Sequence, residues 1–448
     1  MTIRKINVTS TEVSNDANTS TGAFDLPAGT TAQRPGSPTS GNIRFNTTLQ
    51  STEVYDGNVW GKTSPIVPTL SSVTGNIFNS TAGNVTLAGT NFLTSNLVVT
   101  FTPSGGSAST VTVTPSSETA ATAAVPSAIY GQSAGTVISI TVTNSDNRTS
   151  NAVNSTVLAL PTGGTITTSG SNRIHTFNSS GNFVVPSGVT LTNVEYLVIA
   201  GGGSGGDYGG GGGAGGYRSS VVGENSGGGA SAETRITMAA ATYAATIGGG
   251  GAGNQTNSYG VGNDGVASSI IGGSVSISTV GGGSGGYYNA VNGHAGGSGG
   301  GPGISEGGVA GTGGAGTSGQ GYAGGSNTAG RGGTGSYPGG AGGGGAGAVG
   351  TNGPGKGGAG QPGGAGVASS ITGSSVTRGG GGGGLSASSG VGGAGGAGGG
   401  GTANDHGGAS RHGVANTGGG GGAHIGTNSS SYAGNGGSGV VIIRYVLP

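Results

Sequence analysis

Gly201-Gly-Gly-Ser-Gly-Gly-Asp-Tyr208-Gly-Gly-Gly-Gly-Gly-Ala-Gly-Gly216 decides the fold, because almost nothing in it carries a side chain that a core could use. Glycine stands at every third position here, at Gly203, Gly206, Gly209, Gly212 and Gly215. The same spacing returns at Gly357, Gly360, Gly363 and Gly366, and at Gly390, Gly393, Gly396 and Gly399. Three residues per turn is the period of the polyproline II helix, which has no internal hydrogen bonds. Packed side by side, such helices touch where only glycine fits, and their exposed N–H and C=O groups then bond between helices. The chain holds 115 glycines, all but 18 of them after Ala200. A flexible linker would show no such spacing. Collagen is excluded by the slipping register (Gly314, Gly316, Gly319) and by only 15 prolines. A stack of polyglycine II helices is therefore expected.

Composition sets further bounds. The 14 basic and 14 acidic residues cancel, and charged residues are only 6% of the chain. No basic patch is present to neutralise phosphates, so nucleic acid is not an expected partner. Without cysteine, neither disulfides nor thiolate metal sites form. MTIRKINVTS lacks the apolar run of a secretory signal, and no stretch approaches a membrane span. Synthesis in a cytoplasm and no membrane insertion are expected. Neutral, Thr/Ser-rich, helix-poor composition suits β structure on an extracellular or virion surface.

Four stretches differ in character. Within residues 1–63, Asp56-Gly57 between Glu53-Val54-Tyr55 and Val59-Trp60 signals a hairpin. From Pro65 to about Leu160, short Thr/Val runs (Val85–Leu87, Leu97–Phe101, Val111–Val113, Val137–Val142) fit a β-sandwich. A third β piece ends in Val194-Glu-Tyr-Leu-Val-Ile-Ala200. Strand-like interruptions of the glycines follow near Ala232–Met238, Tyr243–Ile247 and Ile270-Ile271, and Val440–Val446 closes the region. Strands near 194–200, 243–247 and 440–446 are expected to pair as one basal sheet from which the glycine helices rise. Gly265-Val-Ala-Ser-Ser-Ile270 is echoed by Gly366-Val-Ala-Ser-Ser-Ile371. The expected fold is mainly β with almost no α-helix: a module over 1–63, a sandwich over 64–160, and a glycine-rich domain over 161–448.

Three stretches resemble known families. Gly29-Thr-x-x-x-Arg34-Pro, Gly41-x-Ile-Arg44-Phe-Asn-Thr and Glu53-x-Tyr55-Asp-Gly-x-x-Trp60 resemble a short module of bacteriophage tail-fibre and virion appendage proteins. Gly83-Asn-Val-Thr-Leu-Ala-Gly89-Thr-Asn-Phe92, with Val125-Pro126 and Val142-Thr-Asn144, is similar to the immunoglobulin-like IPT/TIG domain. Ile174-His-Thr-Phe177, Gly181-x-Phe183, Val194–Gly203 and Gly439–Tyr445 resemble a glycine-rich domain of phage structural proteins, and the stacking resembles the receptor-binding tip of some long tail fibres. The resemblance implies a virion-surface adhesin attached to other virion proteins through residues 1–63, a homotrimer at least there. It would contact a host receptor, a glycan or an outer-membrane protein, through loops. The alternative is a decoration protein of head or tail with no receptor of its own.

No catalytic site is expected. Gly-x-Gly-x-x-Gly recurs by composition alone, Lys356 lacks the Ser/Thr of a phosphate loop, and no nucleophile elbow occurs. Asp405, His406, His412 and His424 are the only grouping that could ligate metal; the plainer expectation is exposed loop residues, with no metal and no cofactor. Residues that break the glycine register are loop candidates for receptor contact: Tyr287, Tyr288, Asn289, His294, Tyr337, Asp405, His406, Arg411, His412, His424 and Tyr432.

Overall fold

The computed structural model describes residues 26–63, 67–254, 262–288, 291–304, 310–327, 339–354, 358–386, 391–403, 411–424 and 432–447. Its regular structure is nearly all strand, with one α-helix of four residues, Ser127–Tyr130. Two compact units divide the chain: residues up to 74 with 82–129 and 136–155, and residues 75–81, 130–135 and 156 onward.

In the first unit, Ala28–Gly29, Ile43–Asn46, Ser51–Tyr55 and Trp60–Lys62 form a small sheet in chain order. Tyr55 pairs with Trp60 across the expected hairpin, and the Asp56 carboxylate accepts the N–H groups of Asn58 and Val59 inside its turn. Among residues 26–63 the buried side chains are Arg44, Asn46 and Glu53, and none is apolar. Glu53 receives Arg34 Nη2 at 2.7 Å and Asn46 Nδ2 at 3.0 Å, with Arg44 Nε 3.3 Å away. Burial pushes the Glu53 carboxyl up, but Arg34, Asn46 and Arg44 outweigh it, so the carboxyl sits below its ordinary range. Arg34, Arg44, Asn46 and Glu53, four positions of the sequence module, thus meet in one polar cluster. The remaining strands lie in two sheets, Ala120–Ala124/Asn84–Thr90/Thr69–Thr74 and a larger one built around Leu97–Pro103 and Val137–Thr143. Alternate residues of the latter two strands (Leu97, Val99, Phe101; Ile138, Ile140, Val142) are fully buried, as a one-sided apolar strand requires.

The second unit stands on two sheets. One has the order Thr165–Ser169, Asn172–Phe177, Val440–Val446, Leu191–Ile199, Tyr217–Ser219, with Ile236–Met238 also on Leu191–Ile199. The other runs Gly181–Val185, Ala241–Thr246, Ser269–Gly272, Val275–Ser278. The expected single basal sheet is corrected here: Leu191–Ile199 and Val440–Val446 do pair, but Ala241–Thr246 bonds to Gly181–Val185 and Ser269–Gly272 instead. Its alternation explains why. Tyr243 and Ala245 point at Tyr196, Val198, Ile443 and Phe183 in a core between the sheets. The central strands of the first sheet are buried on both faces, because Leu197, Ile199, Val440 and Ile442 enter a second core with Tyr217, Ala346 and Ile371. That double burial is what makes 194–200 and 440–446 read as unbroken apolar runs.

His175 sits in the core between the sheets. It donates from Nδ1 to the Gly163 carbonyl (2.7 Å), accepts at Nε2 from the Tyr445 hydroxyl (2.9 Å) and meets Phe183 edge-on. Burial, aided by the Arg173 charge and opposed by the Gly163 carbonyl, lowers its pKa from 6.5 to about 4. The unfolded chain therefore binds a proton that the fold refuses. Stability from this residue is complete above pH 6.5 and falls as pH drops from 6.5 toward 4, by about 3 kcal/mol. Melting curves of the wild type and His175→Gln should converge over that window; parallel curves would remove His175 from the acid response.

From these sheets rise rods without internal bonds. In the rod 210–216 successive N–H groups bond to the carbonyls of Gly286, Ala341, Gly421, Gly283, Gly344, Gly418 and Val280. Every third residue thus returns to the same neighbour, the signature of a three-residue turn. The carbonyls of this rod accept from Gly206, Gly301, Gly382, Gly203 and Ser298. Six segments therefore surround it: 201–206, 280–286, 298–301, 341–344, 382–385 and 418–421. A Cβ at Gly211, Gly212 or Gly213 would lie 2.0–2.3 Å from a backbone oxygen of a neighbour. A rod with six neighbours needs glycine in all three phases. Rods at the rim need less: in 358–366, Gly360, Gly363 and Gly366 face backbone while Ala359, Pro362 and Ala365 are exposed. The period of three is the mark of the rim, and the unbroken run marks the centre.

Candidate functional site

Every rod pair has one end at the sheets and one away from them. Leu191–Ile199 runs into 201–206, the chain turns at Asp207–Tyr208, and 210–216 returns to Tyr217–Ser219. The rods 248–254, 281–286, 379–385 and 418–424 likewise run outward, and 262–266, 358–366 and 432–439 run back. The echoed Val-Ala-Ser-Ser-Ile segments both lie at the sheet end, each delivering a fully buried isoleucine, Ile270 and Ile371, into a hairpin.

At the far end, lattice partners run out and side chains replace them. Asp264 Oδ1 accepts the Ser284 N–H (2.7 Å), and Asn292 Oδ1 that of Thr312 (2.9 Å). Asn352 Oδ1 accepts from Ser326 (2.8 Å), and Asn435 Oδ1 from Gly253 (2.8 Å). All four caps precede a glycine: Asp264-Gly265, Asn292-Gly293, Asn352-Gly353 and Asn435-Gly436, which are the only Asx-Gly dipeptides after Ala200. The sequence reading missed them. The signal was there, but Asx-Gly was read only as a hairpin mark.

The first apex is tied to three other rods. Tyr208 N–H bonds to the His424 carbonyl (2.7 Å), Tyr288 N–H to the Asp207 carbonyl (3.2 Å), Ile304 N–H to the Tyr208 carbonyl (3.2 Å). Ile304, Leu385, Ala403 and Ala423 are buried together, and Tyr208 and Tyr288 pack on them with ring centroids 6.0 Å apart, edge to face. Asp207 and His424 pair as a parallel bridge. Tyr208 has φ +51°, a left-handed conformation rare for a tyrosine.

Seven of the eleven loop candidates are described, and all stand at this end. His294 Nδ1 meets Asp264 Oδ1 at 3.0 Å. Arg411 bonds to the Tyr432 carbonyl, and His412 Nδ1 accepts the Asn435 N–H (2.9 Å). Tyr287 is half-buried and His412 exposed. His424 departs from expectation: it is 3% exposed, not a surface loop residue, because its N–H bonds to the Gly206 carbonyl and its own carbonyl accepts from Tyr208, which draws it into the first apex. Asn289, Tyr337, Asp405 and His406 lie outside the described residues. Among the described residues, no group of three or more His, Asp or Glu could hold a metal ion.

The family model of the glycine-rich domain matches residues 175–446, from His175 in the base to Val446 at the end of the last strand. Comparison with curated proteins finds no match. The matched span covers the glycine stack and both basal sheets apart from the edge strand Thr165–Ser169 and the start of Asn172–Phe177, and the chain belongs to the glycine-rich domain family.

Proposed function

We propose that the protein is a bacteriophage virion appendage, a tail-fibre or fibre-tip adhesin that attaches non-covalently to a host surface. Residues 1–63 would join it to other virion proteins and to two further copies of itself. The observation that carries this reading is the gathering of Tyr287, His294, Arg411, His412 and Tyr432 at one end of a stack whose other end is sheet. Each of these except Tyr287 holds a specific bond to a neighbouring rod or loop. Their entropy is lost at folding and not at binding, which favours recognition by small contact areas, and repetition on a particle adds avidity. Buried His424 belongs to the support of this surface.

Purified full-length protein should bind host cells and reduce adsorption of the phage that carries it, and His412→Ala with Tyr287→Ala should weaken both at least tenfold while leaving the melting temperature unchanged. Failure of the intact protein to bind cells or compete, together with antibody labelling confined to capsids, would establish decoration instead.

A further inference from the structure

Asp207 is the one acidic residue at the first apex. Its side chain lies within a residue only 6% exposed, and Oδ1 has no hydrogen-bond partner among the described residues. Among the described residues, the titratable side chains on the elements packed around it are Tyr208 beside it, Tyr288 just beyond 281–286 and His424 at the end of 418–424. The other contributors, Ile304 and Leu385, are apolar. No lysine or arginine occurs anywhere in residues 281–304, 379–403 or 418–431. An ionised Asp207 would thus be buried with no lysine or arginine from these stretches to offset it, a costly arrangement. Opening the apex would hydrate it and would also release Tyr208 from its left-handed conformation.

We propose that Asp207 is a proton-operated latch: its neutral carboxyl keeps Tyr208, Tyr288 and His424 closed over the apolar cluster, and its ionisation releases them. Burial pushes the carboxyl pKa up from 3.8 to about 6, with no compensating partner. Because the folded pKa is raised, the folded chain holds the proton longer than the unfolded one. The closed apex is therefore most stable in acid and loses stability as pH rises from about 4 through 6. The sign is opposite to that of His175 in the base. The latch needs no receptor to operate; where the tip does bind a host, attachment inherits the pH dependence.

Hydrogen exchange of the full-length protein at pH 5 and pH 7.5, corrected for the intrinsic exchange rates, reads the latch directly. The amides of Tyr208, Tyr288, Ile304 and His424 should lose at least tenfold in protection at the higher pH, while Gly212 and Gly213 in the central rod keep theirs. In Asp207→Asn, which cannot ionise, protection at the four apex amides should be independent of pH. Equal pH dependence in wild type and variant, or a loss shared by the central rod, overturns the proposal. Should the variant not fold, the Asp207 carboxyl carbon in aspartate-labelled wild-type protein decides: a midpoint near 6 shared with the Tyr208 and Tyr288 amide shifts supports the latch, and a midpoint below 4.5 overturns it.

Discussion

Gly212→Ala unfolds the glycine-rich unit, whereas Gly249→Ala leaves it as stable as before or slightly more so. A Cβ at Gly212 would stand 2.3 Å from the Gly203 oxygen and 2.4 Å from that of Ser204, both backbone, while one at Gly249 would meet nothing within 4 Å. Neither glycine has positive φ, so the contrast isolates packing from conformation. To admit the methyl group, rods 201–206 and 210–216 must part by about 1 Å, which strains the bonds Gly203→Gly213 and Gly206→Gly210 and those on the far side to Gly421 and Gly382. Four bonds at about 1 kcal/mol each, with an overpacking cost of about 1–3 kcal/mol, approach the whole stability of an ordinary domain. Gly249→Ala instead narrows the unfolded ensemble and stabilises by about 0.4–1 kcal/mol. Thermal melting and protease resistance of the two variants read the difference; equal tolerance would mean the bonded stack does not form in solution.

Glu53→Ala should melt the four-stranded module of the first unit and spare the glycine-rich unit. Arg34 and Arg44 converge on this carboxylate, and Arg44 is 5% exposed, so removing Glu53 leaves a guanidinium buried without its counter-charge. Breaking a buried pair in this way costs about 3–5 kcal/mol. Elsewhere an apolar core would absorb part of that, but residues 26–63 bury no apolar side chain. Trypsin should then cut at Arg44 and Lys62 within minutes at 25 °C (the bond after Arg34 leads into Pro35 and is not a trypsin site), while the fragment beyond stays resistant. The depressed Glu53 carboxyl adds a pH arm: the module's stability is present above the ordinary glutamate pKa and falls as acid protonates it, so the melting temperature of the wild-type module should drop as the pH falls below about 4.5, whereas the variant lacks this contribution. A module that stays resistant without Glu53 would show that something other than this cluster holds it.

Much of the fold was legible because glycine spacing states contact directly. A rod of 3.1 Å rise per residue has no side-chain pattern to decode, so Gly360, Gly363 and Gly366 mark which side touches a neighbour. The basal strands 191–199 and 440–446 were legible for the ordinary reason, burial of both faces. Their partner arrangement was not, because Tyr243 and Ala245 carry the same alternation whether they pair with Tyr196 or pack against it. At the far end, His294 and Arg411 were legible as breaks in register, while Asp207 was passed over: in sequence it is a single acid between glycines. Nothing local says that four distant segments close over it. His424 misled for the matching reason, since a polar residue ending a glycine run looks like a loop until the parallel bridge to Asp207 is known.

The strand Val440–Val446 lies between Asn172–Phe177 and Leu191–Ile199, with Val441 opposite both Phe177 and Val198. During synthesis those two flanking strands emerge first and wait, their apolar faces open, for a partner some 240–270 residues later in the chain. Loop closure over such a span is slow, and waiting strand edges invite pairing with other chains. The intervening glycines make the wait tolerable, since they offer nascent polymers little apolar surface to aggregate through. The same arrangement acts as a check on completeness: a chain broken anywhere before residue 440 lacks the middle of its foundation sheet, and no prematurely terminated copy can assemble a stack that passes for a finished one.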